Sequence, residues 1–486
     1  MSDSKGLEEV KVVVVGSGFA GVAAAATLVK AGFQNVLLLE AKDRVGGRVH
    51  TTKPFTDKVL EVGANWIHGQ KGNPLFKLAK QHNLLSGEPS TSKSMCSPHS
   101  VTTKDFFFRE DGTRVSKKVV EQVCSRFSKL TDKAFDDELA RKHRKMTLGG
   151  YLDDAFEEST EDGQMVFEWC KRIECTDEAC SSLYEVSAAQ TSEYTEPEGG
   201  FFNTLGLGGY RAVLDVLLKD LPSGTIQCNA EVKTIQWDLI KVGESEEHPV
   251  RITCQNGQSY DADHVIVTVS LGVLKDKADT MFKPSLPQPK LNAIQNLGFG
   301  TVDKIFLYFE EKFLPDDCTI QMVWEEGPED EDVYKASSKG DDWKETWYKK
   351  ITGFDVVARH PTALLGWITG REALHMETLE DSEIRETCVR LLRTFTGWTV
   401  PEASKTLISR WGHDTHVRGS YTFVPHRVNG VEEHKALASP LPPKGSEPLQ
   451  VLFAGEATHV NFYTTTHGAY LTGVREAQRL ISYHSD

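Results

Sequence analysis

The run Val12-Val13-Val14-Val15-Gly16-Ser17-Gly18-Phe19-Ala20-Gly21, followed by an acid at Glu40, constrains the fold more than any other segment. Four consecutive valines favour a strand buried on both faces, and the alanine-rich stretch from Ala20 to Ala31, stopped by Gly32, favours a helix. A second apolar run, Val36 to Leu39, closes on Glu40 and completes a βαβ unit, which sets up a parallel sheet. Gly16 permits the tight turn, Gly18 lets the backbone approach a pyrophosphate, Gly21 allows close helix packing, and Glu40 can hold a ribose hydroxyl pair. The helix start offers unpaired N–H groups to the diphosphate, with Ala20 in the same turn. An α/β chain with a Rossmann-like dinucleotide domain is expected.

Cofactor choice turns on the residues just after Glu40. The stretch Glu40-Ala41-Lys42-Asp43-Arg44-Val45-Gly46-Gly47-Arg48 adds a glycine pair and a cation just past the ribose acid. A second phosphate-facing turn can form there at Gly47, with Arg48 against a diphosphate or a flavin edge. This extension marks FAD-binding oxidases. No second fingerprint is expected, because Gly206-x-Gly208-Gly209 lacks both a preceding strand and the spacing. Without a nicotinamide site, reduced flavin passes its electrons to oxygen, which favours an oxidase over a reductase.

At 486 residues the chain exceeds a usual single domain. Beyond the βαβ unit the pattern turns to charged helices, expected over Lys117 to Glu138 and Gln164 to Cys170. Strand patterns return at Thr225 to Trp237, Arg251 to Gln255 and His264 to Val269, so the first domain resumes after an insertion. The acidic stretch 325–345 reads as a solvated loop, Val451 to Phe453 as a last strand, and Gly468 to Tyr483 as a closing helix.

Lys and Arg total 55 against 70 Asp and Glu, for a net charge of -15, which argues against nucleic acid and for a cationic small molecule. Nine cysteines without a C-x-x-C pair point to a reducing compartment, and the spacing of Cys170, Cys175 and Cys180 suits buried thiols rather than zinc. No metal is expected. No window approaches the ~18 apolar residues of a membrane helix, and the polar end Ser482 to Asp486 lacks a Ser-Lys-Leu address, so a soluble cytoplasmic chain is expected.

Further motifs are Gly63-Ala64-Asn65-Trp66-Ile67-His68-Gly69, the run Asp263 to Leu274, Gly300-Thr301-Val302-Asp303-Lys304-Ile305, Arg418-Gly419-Ser420-Tyr421, Phe453 to His459, and Thr465-Thr466-His467-Gly468-Ala469. Together they resemble the flavin amine oxidases, and within them the animal polyamine oxidases, over nearly the whole chain. The resemblance implies a discontinuous FAD domain over 1–85, 205–300 and 405–486, interleaved with an α+β substrate domain over 86–204 and 301–404. It implies that Lys304 holds a water near flavin N5, that His68 favours the deprotonated amine, and that Tyr421 walls the substrate site. Asn65 and Trp66 would lie beside the flavin, Val232 would meet the adenine through its backbone, and Glu456 would bind the flavin. Thr465 and Thr466 would stand where other amine oxidases place a second aromatic, giving a half-polar cage. Glu193 and Glu196 would meet the far amine.

Ser420 occupies the place where monoamine oxidases carry their flavinylated cysteine, so FAD is expected to be non-covalent. The implied reaction oxidises a carbon next to a secondary amine of spermine or an N1-acetylated polyamine, with O2 as acceptor. An amino-acid oxidase would need an arginine clamp for the carboxylate, and a histone-lysine demethylase an added helical protrusion. An FAD-stabilised interaction protein without turnover would not need Lys304, His68 and Tyr421 together.

Overall fold

The computed structural model describes residues 6–86, 96–134, 145–158, 160–189, 194–241, 243–245, 247–314, 318–325, 331–337, 339–442 and 449–485. Strands Lys11–Val15 and Asn35–Leu39 pair in parallel, with helix Phe19–Lys30 between them in the chain, as the sequence pattern predicts. The parallel sheet runs in the order Val451–Phe453, His264–Val267, Lys11–Val15, Asn35–Leu39, Ile226–Gln227. A parallel sheet is covered on both faces, and the alternation of side chains sorts the two cores. Val13 and Val15 join Val267 and Phe453 on one face, whereas Val12 and Val14 join Ile266 and Leu452 on the other. The second face is covered by helix Phe19–Lys30, itself packed on the closing helix Thr466–Ser485. The first is covered by helix Leu271–Met281 and by a four-stranded sheet that includes Val232–Gln236 and Val250–Cys254.

A six-stranded sheet runs in the order Lys405–Ile408, Val302–Tyr308, Ala363–Thr369, Gly353–Val356, Thr319–Met322, Asp105–Phe108. Ile305 and Leu307 enter a core shared with helix Asp381–Thr396, while Phe306 turns to the opposite face with Trp411. The same period of two puts Lys304 on the Phe306 face of an interior strand. Helices Lys117–Ala134, Leu148–Ala155 and Glu161–Glu178 form a further core around Phe127, Phe167 and Trp169.

Three expectations change. The helix expected over Gln164 to Cys170 extends over Glu161–Glu178, because the Thr160 hydroxyl accepts the Gly163 N–H at 3.1 Å and caps its start. Within the acidic stretch, Glu331–Ser337 is helical, with Lys335 paired one turn away to Glu331 at 2.7 Å. Gly206-x-Gly208-Gly209 does follow a strand, Phe202–Thr204, but an antiparallel partner of Trp66–His68. The helix behind it, Gly209–Leu218, donates its Tyr210 N–H to the Glu61 carboxylate at 2.7 Å, where a phosphate would otherwise sit. Strand Lys405–Ile408 pairs with Val302–Tyr308, so we propose that the last nucleotide-domain segment begins after 408 rather than at 405.

Candidate active site

A cavity of about 1290 Å³ joins the glycine turn to the helical region and is lined by parts of both. At its nucleotide end Gly16 has φ +100°, and a Cβ on Gly21 would lie 1.9 Å from the Gly16 carbonyl oxygen, so both glycines are required by the turn. Gly18, Ala20 and Gly47 line the same wall. Glu40 is buried, and its carboxylate accepts the Ser17 N–H at 2.9 Å and the Ser17 hydroxyl at 2.5 Å on Oε2 and the Lys42 N–H at 2.9 Å on Oε1, which fixes it beside the turn with one acceptor position on Oε1 left for a ribose. Val232 lines the cavity as the first residue of its strand.

Arg48 donates from Nη1 to the Ser420 carbonyl at 2.6 Å and to Glu456 Oε1 at 3.0 Å. Its Nε and Nη2 have no acceptor among the described residues. Glu456 is buried and also accepts the Thr422 hydroxyl at 3.1 Å and the Thr464 N–H at 2.8 Å. The two residues expected to hold the cofactor therefore hold each other, and they join the glycine turn to the final strand.

Lys304 is buried and donates to the Glu61 carbonyl at 2.9 Å, to the Gly63 carbonyl at 2.5 Å and to Asn65 Oδ1 at 2.7 Å. Burial pushes its pKa down to about 7, with the Glu61 carboxylate pulling it back up. Three acceptors match the three ammonium protons, so a water held by Lys304 must share or replace one of these contacts. Trp367, paired with Lys304 across the sheet, stacks near Trp66 at 6.1 Å between ring centroids and lies under the ammonium at 4.8 Å.

His68 sits at the end of Trp66–His68 with its ring 4.5 Å from Phe201. Burial pushes its pKa down to about 4, which keeps it neutral, and Nδ1 has no partner among the described residues. Tyr421 presents its ring to the cavity while its hydroxyl donates to the Thr176 carbonyl at the end of helix Glu161–Glu178. Thr465 and Thr466 line the cavity, but their hydroxyls serve the fold. Thr465 donates to the Phe462 carbonyl at 2.8 Å and accepts the Gly468 N–H at 3.0 Å, and Thr466 pairs with the Tyr210 hydroxyl. The half-polar cage expected there is correspondingly short of free donors.

Glu196 lies at the cavity wall, whereas Glu193 falls outside the described residues. Beside Glu196 the structure places four acids that the sequence reading missed, Asp132, Glu174, Asp177 and Glu178. Asp177 stands exposed on the cavity wall, pushed up to about 7 by the surrounding protein and by Glu196, while burial with Asp177 and Glu178 raises the half-buried Glu174. Their signal is present in the sequence. Glu174, Asp177 and Glu178 end a helix with no basic residue in its last turn, against the helix dipole, with Glu174 one turn before the other two. Such a local violation marks a functional surface. Trp367 and Tyr463, also in the wall, were missed for a different reason: an isolated aromatic in a strand or loop reads as core.

A dinucleotide turn thus opens into a cavity with an aromatic middle and an acidic far wall. Residues 19–481 match the family described as flavin containing amine oxidoreductase, and the chain belongs to that family. It is 36% identical over 97% of its length to the peroxisomal N(1)-acetyl-spermine/spermidine oxidase of Bos taurus, covering 94% of that protein. The Homo sapiens protein of the same name is also 36% identical, with 97% and 95% covered. A solved structure of an engineered putrescine oxidase superposes with a TM-score of 0.69 at 19% identity, covering 97% of this chain and 99% of that one. This last likeness concerns the fold.

Proposed function

We propose that the chain is an FAD-dependent polyamine oxidase. It removes hydride from a carbon next to a secondary amine of spermine or an N1-acetylated polyamine, and hydrolysis then gives an aminoaldehyde and a shorter polyamine, with O2 reduced to hydrogen peroxide. The observation that carries the reading is the continuity of the nucleotide turn, the Lys304 and His68 pair, and the acidic wall in one cavity.

The residues present fit an FAD. A Cβ at Gly18 or Gly455 would meet nothing within 4 Å, so the backbone there is open to a bulky ligand. Helix Phe19–Lys30 starts without a side-chain cap or an acid in its first turn, leaving its N–H groups for a diphosphate. The spare Arg48 donors and Glu456 suit the ribityl and phosphate region. No cysteine lines the cavity, and Ser420 Oγ accepts the Val302 N–H at 2.8 Å and donates to the Val302 carbonyl at 2.9 Å, which supports non-covalent binding. Bound there, FAD would supply a two-electron acceptor that oxygen can reoxidise.

The protein's part is to choose and hold the reactive amine. Neutral His68 can accept a hydrogen bond from the reactive amine in its free-base form, whose lone pair assists loss of hydride. Tyr421 and Trp66 offer faces to an alkylammonium, worth ~0.5–2 kcal/mol each in a desolvated site. Lys304, its pKa pushed down to about 7 by burial, brings N–H donors into a buried wall, where it orients a water for reoxidation and for imine hydrolysis.

No helix among the described residues is long and apolar enough to cross a membrane. All nine cysteines are free thiols, which supports the cytoplasm as the proposed compartment. Anaerobic mixing of the flavin-loaded protein with spermine and with N1-acetylspermine tests the reading. Bleaching of the flavin band by either is expected, and bleaching by neither overturns it.

A further inference from the structure

The strand that turns Lys304 toward the cavity turns Asp303 to its other face, where Asp303 is 0% exposed. Its Oδ1 accepts the Ser409 hydroxyl at 2.6 Å and the Trp411 N–H at 3.0 Å. Its Oδ2 is buried with no donor among the described residues, and the Glu377 carboxyl lies within hydrogen-bonding reach of Asp303. Glu377 is buried as well, at the end of helix Gly370–Met376. Its Oε1 accepts the Gly412 N–H at 2.7 Å, and its Oε2 accepts the His413 N–H at 2.6 Å and the His413 ring. Two carboxyls this close and out of water are not both ionised, and an oxygen with neither donor nor water beside it carries or receives a proton.

No buried cation takes the place of that proton. His413 is exposed and reaches Glu377 from the surface. Arg410 gives its guanidinium to the Glu377 and Leu379 carbonyls at 3.1 and 2.9 Å and to Asp381 at 2.7 Å. Helix Gly370–Met376 adds Glu372, paired with Arg371 at 2.9 Å, and His375, beside the Trp343 ring. Strand Ala363–Thr369 carries no ionisable side chain, and Lys405 of the other neighbouring strand lies over the Tyr308 ring. Lys304 is spent on the opposite face, and Asp414 on Lys42.

One proton thus keeps a whole segment in place, because the two carboxyls together receive Ser409, Trp411, Gly412 and His413. Trp411 lines the cavity. The Ser409 hydroxyl that leans on Asp303 accepts the Lys304 N–H at 2.9 Å, and the Ser409 N–H returns to the Lys304 carbonyl at 3.2 Å. Further along, the Trp411 carbonyl accepts the Gly419 N–H at 2.9 Å, next to the Ser420 carbonyl that Arg48 holds. We propose, resting on the polyamine reading for the effect on turnover, that Asp303 and Glu377 share one proton in a buried carboxyl–carboxylate hydrogen bond, and that this pair is a positioning device holding Trp411 in the cavity wall and the Lys304 backbone in place.

Burial and Glu377 together raise Asp303 well above its ordinary value of 3.8, and the proton belongs to the pair. The folded protein therefore binds one proton more than the unfolded chain from 3.8 up to the raised value, so stability falls as pH rises across that window. Loss of the proton sets two negative charges against each other behind Trp411.

Asp303→Asn keeps a donor toward Glu377 and an acceptor for Ser409 and Trp411 but has nothing to titrate, whereas Asp303→Ala keeps neither. The thermal midpoint of the flavin-loaded wild type is expected to fall relative to that of Asp303→Asn between about pH 5 and about pH 9, and parallel curves overturn the shared proton. The infrared difference spectrum, wild type minus Asp303→Asn at neutral pH, should show the carbonyl stretch of a protonated carboxyl; its absence overturns the shared proton too. Anaerobic flavin reduction by spermine or N1-acetylspermine should slow about tenfold or more in Asp303→Ala, with most of the loss recovered in Asp303→Asn. Equal losses in the two variants, or none in either, overturn the positioning role. Should Asp303→Ala fold poorly, Glu377→Ala and Glu377→Gln form the second pair, with the same order expected. Failure of both amines to reduce the wild-type flavin sinks the polyamine reading, while the midpoints and the infrared band still decide the carboxyl pair.

Discussion

Gly473→Ala tests how tightly the closing helix is pressed against the nucleotide turn. A Cβ at Gly473 would lie 2.0 Å from the Ala20 carbonyl oxygen and 2.8 Å from its carbon. Ordinary contact begins near 3.4 Å, so Ala20 and Gly473 must part by about 1.4 Å. The obstacle is backbone of helix Phe19–Lys30, which cannot rotate away as a side chain would. Overpacking of this kind costs ~1–3 kcal/mol, and the better helix propensity of alanine returns at most ~1 kcal/mol. A backbone clash of this depth belongs at the upper end of that range, so the expected net loss is about 2 kcal/mol of stability. Because Ala20 lies in the first turn of the helix proposed to face the diphosphate, the same displacement should weaken FAD binding. The assay pairs thermal midpoints, with and without excess FAD, with equilibrium dialysis of the cofactor. Excess FAD should recover part of the lost midpoint by mass action. A variant as stable as the wild type, or more so, with unchanged FAD affinity would overturn this account of the contact.

Lys304→Met should slow the reductive or oxidative half-reaction by about tenfold or more while FAD stays bound, as read by stopped flow and by cofactor content. Wild-type kinetics would remove the role. Lys290 is buried and donates to the carbonyls of Ala436, Leu437 and Ser439 at 2.9, 2.7 and 2.8 Å, closing the end of helix Gly430–Ala438. Lys290→Met should cost about 1–3 kcal/mol in denaturant unfolding with turnover per bound flavin unchanged, since orphaned carbonyls and not the cavity bear the loss. Burial pushes His467 down to about 3 from 6.5, so the folded state takes up fewer protons than the unfolded one between those values. Its contribution is lost as the solution is acidified through that window, while the raised carboxyls of the cavity wall act in the opposite sense. His467→Gln should therefore lose less of its thermal midpoint than wild type between about pH 6.5 and about pH 4, and parallel curves would count against a neutral buried imidazole.

Sequence periodicity carried the nucleotide half of this protein. Four valines, a small-residue helix and an acid at the second strand's end are a local pattern whose physics is complete within some thirty residues, and strands Lys11–Val15 and Asn35–Leu39 form where it places them. The turn glycines are equally local, because φ and the space for a Cβ depend on near neighbours. Lys304 and His68 were legible only through their motifs. Their properties come from elsewhere: the neutrality of His68 from burial, and the grip on Lys304 from the carbonyls of Glu61 and Gly63, far away in the chain.

The acidic wall lies at the other limit. Glu174, Asp177 and Glu178 offend the helix dipole, which the sequence records, but nothing local says whether they face solvent or a ligand. That was decided when helix Glu161–Glu178 packed against Lys117–Ala134 and received the Tyr421 hydroxyl on its last turn. The βαβ unit and its phosphate turn were already set by the order of residues along the chain, since both rest on short-range sterics and hydrogen bonding. That five acids from three segments, Asp132, Glu174, Asp177, Glu178 and Glu196, share one wall is a product of packing alone, because the charge of a cavity depends on which distant groups line it.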